Sequence, residues 1–188
     1  PEVEKAVTAA LEYLKHQQNP DGSWGVTDRV WMTALALLAY DGRCESFEST
    51  HYGNTMIKGA IFLVEVGKKS RDGMIAERSS SRNAPVEHCM ATKALGQMYL
   101  AAQRGSKSLP GMREAFESGV RFIINSPATG PEGIPNIAFH LAWKAEALHV
   151  AKLTGLKFDG IEECIARLKN SLNAIQSADG GFEPPPPK

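Results

Sequence analysis

Four breaks between stretches of helical periodicity in this 188-residue chain each carry an acidic residue followed by glycine, at Asp21-Gly22, Asp72-Gly73, Glu132-Gly133 and Asp179-Gly180. The interruptions stand roughly 45 to 60 residues apart, room for two helices and their loops, and recurrence at such a spacing marks a repeat architecture. In the first copy Ala6, Ala10, Tyr13, Leu14 and Gln17 follow helical spacing before the break, and Trp31, Leu35 and Leu38 carry an apolar face after it. The second copy reads "MIKGAIFLVEVGKKSRDGMIAE" and then "PVEHCMATKALGQMYLAAQ"; the third reads "MREAFESGVRFIINSPATGPEGIP" and then "NIAFHLAWKAEALHVAKL". A fourth begins as "IEECIARLKNSLNAIQSADGGF" and stops. Period-2 alternation is nowhere sustained, and the β-branched residues are scattered among Ala, Leu, Glu and Lys, which favours helix over strand. The expectation is one all-α domain over 1–182, with hairpins at about 2–46, 52–104 and 111–157 and a half-repeat at 160–182. The remaining 183–188, "EPPPPK", is a Pro-rich tail that cannot enter a helix interior.

Lys plus Arg and Asp plus Glu both number 21, so no basic footprint points to nucleic acid. No apolar run approaches the length that spans a bilayer. Cys44, Cys89 and Cys164 are too few and too far apart for a disulfide framework, and an odd count leaves at least one thiol free. The sequence opens on Pro1, which leaves an upstream segment, an export signal included, and with it the compartment open.

The stretch "KAVTAALEYLKHQQNPDGSW" resembles the QW repeat of squalene and oxidosqualene cyclases, with Lys5 and Ala6, Tyr13 and Leu14, then Gln18, Gly22 and Trp24 in its slots. "QSADGGF" is a weaker match through Gln176, Gly180 and Phe182, and the two middle copies are degenerate. The resemblance implies an α/α toroid, a fold shared with protein prenyltransferase β subunits, in which inner helices ring a central cavity and outer helices surround them. About seven helices make fewer hairpins than a closed ring of this family holds. An open arc is therefore expected, its bare ends covered by missing repeats or by another copy in a homo-oligomer. In that family the Gln and Trp have a mechanical role. Physically, Trp24 is expected to cover the carbonyl end of the preceding helix and the Gln18 amide to satisfy one of its carbonyls.

By the same resemblance, chemistry belongs at the starts of the inner helices, here "VTDRVW", "PVEHCM" and "NIAFHLAW". The cavity candidates are Asp28, Glu87, His88 and His140. The Asp-x-Asp-Asp acid motif of squalene-hopene-type cyclases is missing. Asp28 stands next to Arg29, whose charge is expected to stabilise the carboxylate and make it a poor acid, and it also suits the first turn of a helix. Prenyltransferases hold zinc through Asp-x-Cys on one inner helix and His on the next; Glu87, Cys89 and His140 have a similar layout, with Glu in place of Asp and Met90 where an aromatic usually follows. A Glu-His pair also opens this helix in bacterial squalene-cyclase-like repeat proteins, the group that "VEHCMATKALGQMY" resembles more closely. Buried in a cavity, such a pair could serve proton transfer or ligand anchoring. Trp31 and Trp143 lie on the same helices and are the candidate ligand contacts, since aromatic faces suit apolar ligands and passing cations. His16, His51 and His149 have no spacing that suggests ligation.

The expectation is thus a squalene-cyclase-like helical repeat module whose apolar cavity binds an isoprenoid-like or other apolar small molecule, or which acts as a scaffold, without a cofactor and without a complete catalytic motif. A terpenoid cyclase fragment and a zinc-dependent prenyltransferase-like site are the alternatives.

Overall fold

The computed structural model of the chain describes residues 2–127 and 137–182; the Glu132-Gly133 break and the 183–188 tail lie outside the described residues. Among the described residues seven helices form, α1 (Glu2–His16), α2 (Arg29–Gly42), α3 (Gly53–Lys69), α4 (Ala84–Arg104), α5 (Met112–Asn125), α6 (Ile137–Leu153) and α7 (Ile161–Ile175). Among the described residues there is no strand, only an isolated bridge between Gln176 and Phe182. The protein is all-α. No described helix is long and apolar enough to cross a membrane.

The helices sort into two layers. α2, α4 and α6 lie side by side, with α4 in the middle, while α3, α5 and α7 pack behind them and α1 leans on α2. The central position of α4 follows from its side chains. More than half of its 21 residues are buried, many of them small (Ala84, Ala91, Ala94, Gly96), and small residues let neighbours approach from several sides. A Cβ built on Gly96 would stand 2.6 Å from Val150 of α6 and 2.7 Å from the Phe116 ring of α5. The outer helices are amphipathic instead, and bury one face only. In α5 that face is Met112, Ala115, Phe116, Gly119, Val120 and Ile123, spaced three and four residues apart.

The first and second turns each dock on the following helix of the layer behind, α3 and α5. Gly22 has φ +90° and its Cα faces α3, where an added Cβ would fall 2.4 Å from the Lys58 carbonyl oxygen. Gly73, at φ +88°, meets the Ser118 carbonyl of α5 in the same way, at 2.8 Å. Only glycine meets both the left-handed backbone and the close approach.

The side chains around the first turn do not divide their work as the repeat motif implies. The indole N–H of Trp24, and not the Gln18 amide, satisfies the end of α1, donating to the Leu14 carbonyl at 2.7 Å. Gln18 faces the other way, donating to the carbonyls of Gly22 and Thr55, both at 2.9 Å, and so staples its own turn to α3. The reason is reach. The indole lies back along α1, which brings its N–H to the last turn, while Gln18 has already left the helix.

The fourth turn has the same local chemistry in a different setting. Gln176 donates to the Gly180 carbonyl at 3.0 Å, and Asp179 accepts from the Gly181 amide and the Ser177 hydroxyl, much as Asp21 accepts from the Ser23 amide and hydroxyl. No described segment lies within 4 Å of a Cβ at Gly180. Accordingly Phe182 is 47 % exposed, whereas Trp24 in the first turn is 2 % exposed.

Candidate functional site

The first turns of α2, α4 and α6 bring the expected site residues to neighbouring ends, but the residues then part into three places. The division follows from helix geometry. Glu87 and Cys89 stand two residues apart on α4, about 200° around the helix axis, so their side chains leave opposite faces. His88 lies between them.

Glu87 opens on a cleft of about 210 Å³ together with Asp28, Glu77 and Arg78. Asp28 precedes α2 with a left-handed backbone, φ 51°, unusual for a residue with a side chain. Its carboxylate makes no cap hydrogen bond, and it stands before the first turn rather than in it. The expected Asp28–Arg29 neutralisation does not form. Arg29 pairs instead with Asp21 at 2.6 Å and with Glu77, clamping the first turn to the segment that follows the second. Glu87 is buried, and burial first, then the nearby Asp28 and Glu77 charges, push its carboxyl above the usual carboxylate range. This is the electrostatic setting of a group that holds a proton.

His88, Cys89 and His140 lie on the other side of α4, around an almost wholly apolar cavity of about 290 Å³ that reaches Met74, Phe122 and Ile123. His88 is fully engaged. Its Nδ1 accepts the Ile75 amide at 2.8 Å, which leaves the proton on Nε2 to be donated to the Gly119 carbonyl at 3.1 Å. Phe122 stands edge-on to its ring, centroids 4.7 Å apart. In the second hairpin, which has no Gln18 or Trp24 equivalent, His88 does their work: it ties the segment after the Gly73 turn to the next outer helix. With both nitrogens committed to the backbone it has no site from which to exchange protons with a substrate.

His140 differs. It is 2 % exposed and its Nδ1 has no hydrogen-bond partner. One helical turn on stands Lys144, 1 % exposed, whose Nζ donates to the Ser126 hydroxyl at 3.0 Å and to the Pro127 carbonyl at 2.8 Å. No carboxylate among the described residues lies within ion-pair distance of it, and burial holds its ammonium below the ordinary lysine value. Sequence reasoning passed over Lys144. The available signal was its position four residues after His140 in an otherwise apolar stretch, "IAFHLAWKAEAL", which sets the two on one face.

Glu87, Cys89 and His140 therefore do not converge, because Glu87 belongs to the cleft and the other two to the cavity. Among the described residues no group of three or more His, Cys, Asp or Glu side chains is arranged to hold a metal ion. Burial pushes the Cys89 thiol up to about 12.

Trp31 and Trp143 form the third place, through a residue that was not singled out. Phe139 of α6 stacks on Trp31 of α2 with centroids 5.9 Å apart and meets Trp143 edge-on at 6.0 Å. Side chains of α2 and α6 thus touch across α4. Lys93 of α4 lies over the Trp143 ring at 5.1 Å and pairs with Glu146 at 2.9 Å.

The two buried imidazoles give a pH prediction. Burial pushes both His88 and His140 down to about 4, against about 6.5 in an unfolded chain. Between those values the unfolded chain binds protons that the folded one refuses, so stability is complete above about pH 6.5 and falls as the pH drops towards 4. Glu87 runs the other way and offsets part of the loss, while Asp21 and Asp72, held below 3.8 by their hydrogen bonds, add theirs only further down. Urea unfolding at pH 7 and at pH 4.5 is expected to differ by about 2–4 kcal/mol, on the scale of 1.36 kcal/mol per pKa unit. Equal stabilities would mean that both rings reach water.

Comparison with protein-family models, with curated proteins and with solved structures finds no match to this chain.

Proposed function

We propose that this chain is a squalene-cyclase-like helical repeat module, an open arc of the α/α toroid kind, that binds an apolar, isoprenoid-like ligand on its inner layer. The observation that carries the reading is the aromatic strip Trp31–Phe139–Trp143, contributed by two helices that meet across a third. Phe139 and Leu35 are each 38 % exposed, so apolar surface stays open on the layer from which the resemblance expects a cavity to be built. Flat aromatic rings suit a branched hydrocarbon chain, which gains from apolar burial without needing directional bonds.

Farnesol is the probe. Titration is expected to change the emission of Trp31 and Trp143, while Trp24, buried against α3, reports only on folding. The double variant Trp31→Leu, Trp143→Leu should retain its thermal transition and lose farnesol binding in calorimetry. Undiminished binding in that variant would remove the strip as the site.

A second reading, a fragment of a terpenoid cyclase, is favoured by Glu87 alone, a carboxyl inclined to keep its proton at the start of the middle inner helix. Such a group could protonate an alkene or epoxide. Turnover of squalene by the wild type and not by Glu87→Gln would establish it.

A further inference from the structure

The cavity behind α4 is separate from the aromatic strip, and the proposed function makes no use of it. Its walls are Met74, Phe122 and Ile123 with the polar groups of Cys89, His140 and Lys144 set among them. Three observations make it more than a packing gap. Lys144 is a buried cation with no counter-charge among the described residues, and the neighbouring His88 is held neutral by its two backbone bonds. A buried ammonium gains most from a partner that brings the opposite charge. His140 presents an unpartnered, fully buried Nδ1 one turn away on the same helix. Finally, the space fits a defined size of molecule: an apolar cavity of about 150 Å³ takes benzene, and this one, at about 290 Å³, has room for a ring and a short chain.

We infer that this cavity is a binding site for a small carboxylic acid with an apolar body, its carboxylate held by Lys144 Nζ and His140 Nδ1 and its hydrocarbon part seated against Met74, Phe122 and Ile123. The ammonium has three N–H donors and spends two on Ser126 and Pro127, which leaves one for a ligand oxygen. His140, in the tautomer protonated at Nδ1, supplies another. Ser126 keeps the ammonium in position, since its own hydroxyl donates to the Ile123 carbonyl at 2.8 Å and turns its lone pairs to Lys144. The apolar lining excludes water, which strengthens the charge-assisted bonds and selects against small hydrophilic acids.

The experiment uses the whole chain and two probes of one shape, 3-phenylpropanoate and 3-phenylpropanol, with calorimetry and the ring resonances of His140 as readouts. The acid is expected to bind at least about tenfold more tightly than the alcohol, or 1.4 kcal/mol, and to shift the His140 resonances. Lys144→Met keeps the length of the side chain and removes a buried charge that has no counter-charge among the described residues, so it should unfold no earlier than the wild type and lose the preference for the acid. Equal affinity for the two probes, binding of neither, or an undiminished acid preference in Lys144→Met overturns the inference. The acid–alcohol comparison is made on the wild type and so stands whether or not the variant folds. Neither the probes nor the variant touch Trp31 and Trp143, so this site and the farnesol site fail or succeed independently.

Discussion

Replacing Trp24 by alanine is expected to destabilise the protein by about 3–5 kcal/mol, the range for truncating a buried large aromatic, and to lower the melting temperature by roughly 10 °C for a chain of this size. Three losses combine. The indole is 2 % exposed, and its removal leaves a cavity between α1, α2 and α3. Its N–H no longer reaches the Leu14 carbonyl, so the end of α1 loses a bond of 2.7 Å. The ring also lies against Gly59, where a Cβ would come within 2.8 Å of it, so the α3 residue that faces the vacated space has no side chain to fill it. Trp24→Phe keeps most of the packing and loses the hydrogen bond, and should fall between the two. Phe182→Ala, in the corresponding place of the fourth turn, is expected to cost far less because the ring is already exposed. Similar losses for Trp24→Ala and Phe182→Ala would refute this account of the turns.

His88→Leu is the second large effect, expected to cost about 2–5 kcal/mol although leucine fits an apolar interior. The substitution strands the buried Ile75 N–H, which costs about 1–3 kcal/mol, and removes the second hydrogen bond of the Gly119 C=O, a carbonyl that keeps its helical partner within α5, for about 0.5–1.5 kcal/mol more. The space offers little relief, since α5 and α4 are already so close there that a Cβ built on Gly119 would stand 2.7 Å from Thr92 Oγ1. A second readout separates this from a simple packing defect: with one of the two buried imidazoles gone, the loss of stability between pH 7 and pH 4.5 should shrink markedly. Hydrogen exchange at Ile75 should accelerate in the variant. A loss below about 0.5 kcal/mol, the ordinary scale of a surface change, would show that His88 does not staple the second hairpin.

His88 shows how far a site can be read from sequence. Its place at the start of α4, beside Glu87, was legible, and so was its company with His140 of α6. Its role was not, because the two groups that occupy its nitrogens come from 13 residues before it and 31 after. Glu87 and Asp28 were expected at the same ends and do share a cleft, whereas the Arg29 that was expected to neutralise Asp28 is drawn to Asp21 and Glu77, 8 and 48 residues away. Lys144 was missed because a lysine in a helix is ordinarily solvated, and nothing local says that α4, α5 and α7 will close around it.

What the sequence by itself determined is the all-α class, the set of helices and, among the described residues, the turns that separate them. Those depend on neighbours within a few residues: apolar spacing of three and four, Asp-Gly turns that need a left-handed glycine, and loops such as "GRCESFESTHYG" that cannot continue a helix. Only the tertiary structure decided which polar side chains are working groups and which are staples. Burial, hydrogen-bond partners and counter-charges are supplied by segments far away in the chain, so Trp24 took the helix-end carbonyl expected of Gln18, Glu87 parted from Cys89, and a lysine among alanines became the one buried cation of the described cavity.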